Sequence, residues 1–175
     1  GTLWASTSGE GLFRIHPEKK QGECIMAINQ LGFRHLSTIL DDGKGNLWIG
    51  AENDGLICYN IIKETIKTFK TPLISENNIS SLAKDPYGNI YIGTLTGGLN
   101  IYNNSTRKFR QIPYQDRYNL PVKALTYANG QLYIGTDGEG LKVYTTEKHE
   151  ITDKELEDTQ FNLKNKKIHT ILFDR

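Results

Sequence analysis

Long apolar runs are absent: no stretch approaches the roughly 20 residues that a membrane helix needs. One-sided charge is absent too. With 21 Lys and Arg against 20 Asp and Glu, the total charge offers nothing to attract nucleic acid or an anionic membrane surface. Cysteine is scarce. Cys24 and Cys58 sit in no CxxC or metal-spaced cluster, and each falls within a strand-like run, which reads as buried free thiols. The histidines, at positions 16, 35, 149 and 169, show no HExxH or paired ligand spacing, so no metal is expected. No glycine-rich phosphate loop opens a helix and no GxSxG elbow occurs, so neither a cofactor nor a nucleophile is expected. The first residues, Gly1-Thr2-Leu3-Trp4, carry no charged leader followed by an apolar core, so no signal peptide is expected within this chain.

What is present is turns and short apolar runs. The chain has 175 residues, 37% hydrophobic, with 17 glycines and 5 prolines, which is enough apolar material for a core and many reversals around it. Residues 78–102 show the pattern. An apolar run at 79–83 is broken by Asp85-Pro86-Tyr87-Gly88-Asn89, where proline presets one turn dihedral and glycine accepts the other. Ile90-Tyr91-Ile92 follows, then Thr96-Gly97-Gly98, then the alternating Leu99-Asn100-Ile101-Tyr102, then a fourth run at 108–112.

This meander repeats. Trp4, Trp48, Tyr91 and Tyr133 are spaced by 44, 43 and 42 residues, and so are the turns Gly11-Leu12, Gly55-Leu56, Gly98-Leu99 and Gly140-Leu141. Two landmarks holding one period over four copies, with period-two alternation inside each, predict an all-β chain of β-propeller blades. Helical repeats of similar length would need three-four apolar spacing, which is missing. The blades are expected at about 1–32, 33–76, 77–119 and 120–167. The first blade supplies strands at 3–6, 12–15 and 24–28 and lacks its first strand; residues 168–174 look like another first strand. They complete blade one if the ring closes, or begin a fifth blade if the segment belongs to a larger propeller. The larger ring is the favoured reading. An open piece leaves two apolar blade faces, and pairing of those ends in a homodimer is an expectation for them.

The run Asn78-Ile79-Ser80-Ser81-Leu82, with Asp85, Gly88-Asn89-Ile90-Tyr91-Ile92-Gly93-Thr94 and Gly97-Gly98-Leu99-Asn100-Ile101-Tyr102, resembles the two-component regulator propeller repeat, and Leu47-Trp48-Ile49-Gly50 is closer still to its core. Ala5-Ser6 in place of Ile-Gly, and the charge-rich stretch after Thr145, depart from it. The resemblance implies a part of the extracytoplasmic sensor region of a hybrid two-component histidine kinase, anchored in the inner membrane. In that family propellers precede a β-sandwich, a membrane helix, a kinase, a receiver and a DNA-binding domain. It implies an oligosaccharide ligand derived from polysaccharides, control of the genes that use it, and the remaining propeller blades and sensor domains as partners. This segment itself is expected to touch neither nucleic acid nor membrane and to be no enzyme. The alternative is a protein-interaction propeller with no small ligand.

In a meander the turn between second and third strands lies at the same end as the connection to the next blade. That end gathers the candidate ligand residues: Phe33 and Arg34, then Glu52, Asn53 and Asp54, then Glu76 and Asn77, then Arg117 and Tyr118, and finally Asp137 and Glu139. Carboxylates, amides, Arg and Tyr suit a hydroxyl-rich or acidic sugar, although turns favour such residues anyway. Phe33 and Tyr118 are the expected stacking surfaces. Trp4, Trp48, Tyr91 and Tyr133 are expected to fill the space between blades. A propeller lyase or glycosidase would need two acids about 5–10 Å apart, and no spacing among Glu10, Asp54, Glu76 and Asp137 selects a pair. Asp41-Asp42-Gly43-Lys44-Gly45-Asn46 reads as a blade turn rather than a calcium loop, because no twelfth-position glutamate follows.

Overall fold

The Leu-Trp-Ile-Gly run governs the architecture because it is buried on both faces. In the computed structural model, which describes residues 1–154, 163 and 166–174, the strands built on this run are covered along almost their whole length. A strand buried on both sides must lie inside a sheet that is itself packed between two others, and the chain meets that demand with stacked antiparallel meanders. Blade one holds β1 (Leu3–Ser6), β2 (Leu12–His16) and β3 (Gln21–Cys24), followed by a short helix, α1 (Met26–Gln30). Blade two holds β4 (Leu36–Asp41), β5 (Asn46–Ala51), β6 (Gly55–Asn60) and β7 (Thr65–Phe69). Blade three holds β8 (Ile79–Lys84), β9 (Ile90–Thr94), β10 (Leu99–Asn103) and β11 (Lys108–Ile112). Blade four holds β12 (Val122–Ala128), β13 (Gln131–Thr136), β14 (Leu141–Thr145) and β15 (Glu150–Asp153). Each sheet runs in sequence order, and no sheet closes on itself. The fold is all-β, a partial propeller.

The first strands β4, β8 and β12 pack on one another in succession, which makes them the inner, axis-side strands. The apolar core is accordingly three slabs, one per interface. Leu12, Ile28, Leu36, Ile49 and Tyr59 form the slab between blades one and two; Trp48, Leu56, Ile79, Ile92 and Tyr102 the next; Tyr91, Val122, Leu125, Ile134 and Tyr144 the third. The recurrent aromatics serve these slabs as expected. Trp4 meets Tyr59 at 6.2 Å, Trp48 meets Tyr102 at 4.9 Å, and Tyr91 meets Tyr144 at 6.0 Å, each ring reaching the third strand of the following blade. Tyr133, in the last blade, is half-buried and makes no such ring contact among the described residues.

Two expectations need correction. The strand expected at 24–28 is instead β3 at Gln21–Cys24 followed by α1. Ile25 and Ile28 are both buried, and their three-residue spacing suits a helical turn laid on Leu12 and Leu36, not a strand. Residues 168–174 form no strand among the described residues, and blade one remains three-stranded. The segment still occupies the next-blade position: the Ile168 N–H donates to the Thr136 carbonyl at 2.9 Å, and Thr126 Oγ1 donates to the Ile171 carbonyl at 2.7 Å. Much of the charge-rich stretch after β15 lies outside the described residues.

The glycine ending the Leu-Trp-Ile-Gly run explains its own recurrence. A Cβ on Gly50 would meet Ile79 Cγ2 at 2.7 Å, one on Gly93 would meet Val122 Cγ1 at 2.4 Å, and one on Gly135 would meet Ile168 Cγ2 at 2.6 Å. In each case the clashing group is the first residue of the following inner segment. Gly93→Ala is therefore expected to destabilise the chain by about 1–3 kcal/mol through overpacking. Val122→Ala removes the obstructing methyl, so urea denaturation of the double variant is expected to show a smaller loss than the two single losses added. Additive losses would refute the packing account.

Candidate functional site

The connectors and the turns between second and third strands do share one end of the sheets. The Gly9 N–H donates to the Arg34 carbonyl at 2.9 Å, the Gly55 N–H to the Asn77 carbonyl at 2.8 Å, and the Gly140 N–H to the Lys166 carbonyl at 3.1 Å. Many of the polar side chains picked out in sequence belong to this stitching. Glu76 Oε2 accepts from the N–H groups of Thr96 and Gly97 at 2.7 and 2.9 Å, so a connector carboxylate caps the turn of the following blade. Asp54 pairs with Lys70 at 3.1 Å, and Arg117 pairs with Glu139. Asn77 Oδ1 accepts from the Thr71 N–H at 2.9 Å. Arg34 is exposed but enters the network through its carbonyl.

The two expected stacking surfaces separate. Tyr118 is 51% exposed. Phe33 is 5% exposed, packed in the slab between blades one and two with Lys70 Nζ 5.7 Å above its ring, so it is not a stacking surface.

Glu52 and Asn53 do line a cleft, of about 350 Å³, at the axis side of this face. Asn78 and Leu95, which the connector and turn positions also place on this face, line it with Ile79. Its remaining walls do not stand out in sequence: Ser37, Ser80, Lys123 and His169. The last four hold one repeat position, the second residue of each inner segment. In the first three that residue is the extra one of a β-bulge, since the register slips between Leu36 and Thr38, between Ile79 and Ser81, and between Val122 and Ala124. A bulge leaves its extra residue without a cross-strand partner and re-aims its side chain. Ser37 Oγ donates to the Ile79 carbonyl at 2.5 Å and Ser80 Oγ to the Val122 carbonyl at 2.7 Å, so these two serve the blade stack as well as the cleft. Lys123 and His169 replace that small hydroxyl with an ammonium and an imidazole. That substitution was the available sequence signal, but the bulge that gives it meaning follows from strand register, which sequence does not display.

Charge gathers at the same place. Asp137 Oδ1 meets Lys167 Nζ at 3.0 Å as an ion pair, without a well-directed hydrogen bond. The Lys167 ammonium is the main cause holding the Asp137 carboxyl below its ordinary value, with Lys123 and His169 adding at longer range. Hydrogen bonds to Asn46 and Lys44 outweigh burial to hold Asp42, at the other end of the sheets, low as well. Among the described residues no three His, Cys, Asp or Glu side chains converge as a metal site would require. Asp41 Oδ1 accepts from the Gly43 N–H at 2.8 Å and Asp42 Oδ1 from the Lys44 N–H at 2.7 Å, the Asx pattern of a plain turn. Cys24 and Cys58 are free but only half-buried.

Residues 73–96 match the two-component regulator propeller family model. The chain is similar to the extracellular domain of a putative hybrid two component system from B. thetaiotaomicron, at 22% identity and a TM-score of 0.79, over 99% of this chain and 22% of that one. A second extracellular domain from that organism, of a putative one component system, shares 25% identity at a TM-score of 0.73, over 88% of this chain and 21% of that one. An auxiliary nutrient binding protein of B. thetaiotaomicron matches at 14% identity and a TM-score of 0.63, over 86% of this chain and 37% of that one. No protein of curated function matches the sequence. The chain spans about a fifth of the length of the first two domains.

The Asp137 carboxyl is expected to titrate below the ordinary aspartate value of about 3.9. A carboxyl lowered on folding contributes stability above its ordinary value and loses that contribution as pH falls through the lowered one. The effect is small because the Lys167 side chain is 68% exposed. In carboxyl-detected NMR, Lys167→Ala is expected to return Asp137 toward its ordinary value; an unchanged midpoint would mean that the ion pair does not persist in solution.

Proposed function

We propose that this chain is part of the extracytoplasmic sensor propeller of a hybrid two-component receptor, and that it reads a polysaccharide-derived oligosaccharide at the axis-side cleft of its connector face. The observation that carries the ligand reading is the repeat position at which Ser37, Ser80, Lys123 and His169, the first three of them bulge residues, converge with Glu52 and Asn53. Hydroxyl, amide, carboxylate, ammonium and imidazole groups from successive segments meet in one concavity, the donor and acceptor mixture a hydroxyl-rich ring requires. Its volume lies at the lower end of the few hundred Å³ usual for small-ligand sites. Tyr118, exposed on the same face, offers a flat surface beyond it. The matched family model and the fold of the similar extracellular domains support the sensor role. No helix among the described residues is long and apolar enough to cross a membrane. The segment binds and does not catalyse; occupancy of the cleft, which is walled by several blades, biases the receptor between signalling states.

The test is a thermal-shift and calorimetric screen of the full sensor region with di- to tetrasaccharides. A bound sugar is expected to raise the midpoint by mass action, and Lys123→Ala and Glu52→Gln are each expected to weaken it by about tenfold. If no sugar binds, and a partner protein is instead held in a manner that Lys123→Ala abolishes, the face is a protein-docking surface and the sugar reading fails.

A further inference from the structure

The repeat builds a second kind of cavity, a groove between facing blades at the end of the sheets opposite the connectors. It occurs between blades two and three with a volume of about 570 Å³, and between blades three and four with about 470 Å³. The framework is the same in both. Asp42 and Asp85 stand at equivalent turns, Asn46 and Asn89 beside them, and an aromatic side chain forms each floor. Both grooves satisfy one folding requirement, so side chains that differ between them are not demanded by the fold.

The differences are concentrated in charge. Lys44, Lys63 and Arg107 of the first groove stand where the second has Tyr87, Thr106 and His149; Lys67 and Arg110 share one position, and the second groove has Lys108 where the first has Thr65, which leaves four Lys and Arg side chains against two. The four cations come from the inner and outer turns and the outer strand of blade two and from a turn of blade three. All are exposed, and among the described residues none stands in a salt bridge; Arg107 Nη1 donates to the Tyr102 hydroxyl at 3.4 Å. The one carboxylate in that lining, Asp42, is already engaged: Oδ1 accepts from the Lys44 and Asn46 N–H groups, and Oδ2 accepts from Asn46 Nδ2 at 2.7 Å.

The floors differ as well. In the second groove the Tyr91 hydroxyl donates to Asp85 Oδ2 at 3.1 Å. In the first, Trp48 is 4% exposed, and its indole N–H approaches Asp42, the counterpart of Asp85, with poorer geometry than a well-formed hydrogen bond. Cys58 beside it stays protonated near neutral pH, its thiol pushed up to about 11 chiefly by burial, so it adds no negative charge.

We infer that the groove between blades two and three is a binding site for a multiply charged organic anion, one carrying several carboxylate, sulfate or phosphate groups on a compact scaffold. Lys44, Lys63, Lys67 and Arg107 hold the anionic groups. The site is separate from the connector-face cleft and does not depend on the sugar reading of it.

Trp48 also reports occupancy. In a Trp4→Phe background it is the sole tryptophan. That protein is to be titrated with trigalacturonate, sucrose octasulfate and inositol hexakisphosphate, with maltotriose as the neutral control. At least one polyanion is expected to change Trp48 fluorescence saturably, more weakly as salt rises from about 50 mM to about 300 mM. Lys63→Ala with Arg107→Ala is expected to cost about tenfold or more in affinity, whereas Lys108→Ala with Arg110→Ala in the counterpart groove costs less than about twofold. Lys123→Ala is expected to leave this binding unchanged, which separates the site from the cleft. All these replaced groups except Trp4 and Lys123 are exposed, and circular dichroism checks that each variant folds. Silence from every polyanion, equal binding of maltotriose, or equal losses from the two pairs of substitutions would each overturn the assignment. Which polyanion binds most tightly identifies the anionic group.

Discussion

One close approach sets the rest of this structure: the glycine at the end of each second strand admits the first side chain of the next blade. Ile79 sits against Gly50, Val122 against Gly93 and Ile168 against Gly135. A β-carbon at the glycine would occupy the space of that neighbour, so the blades approach at this depth only because the side chain is absent. Blade two is positioned on blade one without it, since Ser6 holds the equivalent place. There α1 contributes Ile28 to the slab, and the Leu36 N–H donates to the Thr7 carbonyl at 2.9 Å. The chain resembles a one-dimensional stack in which every unit depends on its neighbours for burial.

That dependence explains what could be read in sequence. A period set by a glycine, an aromatic and a turn is enforced by contacts at every interface, so Trp48, Tyr91, Gly98 and Leu99 reported the blades, their strands and their order. Ile25 and Ile28 were misread because a short apolar pair near a turn fits a strand or a helical turn equally well. The segment from Ile168 looks like an inner strand because it sits where one would. It carries the apolar residue that fills the Gly135 notch but forms no ladder among the described residues.

The candidate site was legible only in part, for a different reason. Turn position placed Glu76, Asp54, Arg117 and Glu139 at the correct end of the sheets. It could not tell whether those side chains face solvent or tie one blade to the next. Glu76 caps a neighbouring turn, and Arg117 and Glu139 neutralise each other. Each is spent on holding the connector face together. Ser37, Ser80 and Lys123 were overlooked because their distinction is a slipped register, visible only once strands are paired.

In a stack of repeats, the informative residues are those at which equivalent positions disagree. Where Ser37 and Ser80 agree, the hydroxyl has a structural task, closing a bond to the carbonyl of the following blade. Where Lys123 and His169 replace it, they keep the location and lose that task, and so bring charge to the axis for some other reason. The same comparison separates the two inter-blade grooves. Tyr91 closes a hydrogen bond to Asp85, and Trp48 approaches the equivalent Asp42 with poorer geometry, so the floors follow one plan. The rims do not. Both carry a cation at the position of Lys67 and Arg110, but Lys44, Lys63 and Arg107 stand where the second groove has Tyr87, Thr106 and His149, and that groove has Lys108 in place of Thr65. The second groove forms without those three cations, so the fold does not demand them, and their gathering on one rim is a local departure from the repeat.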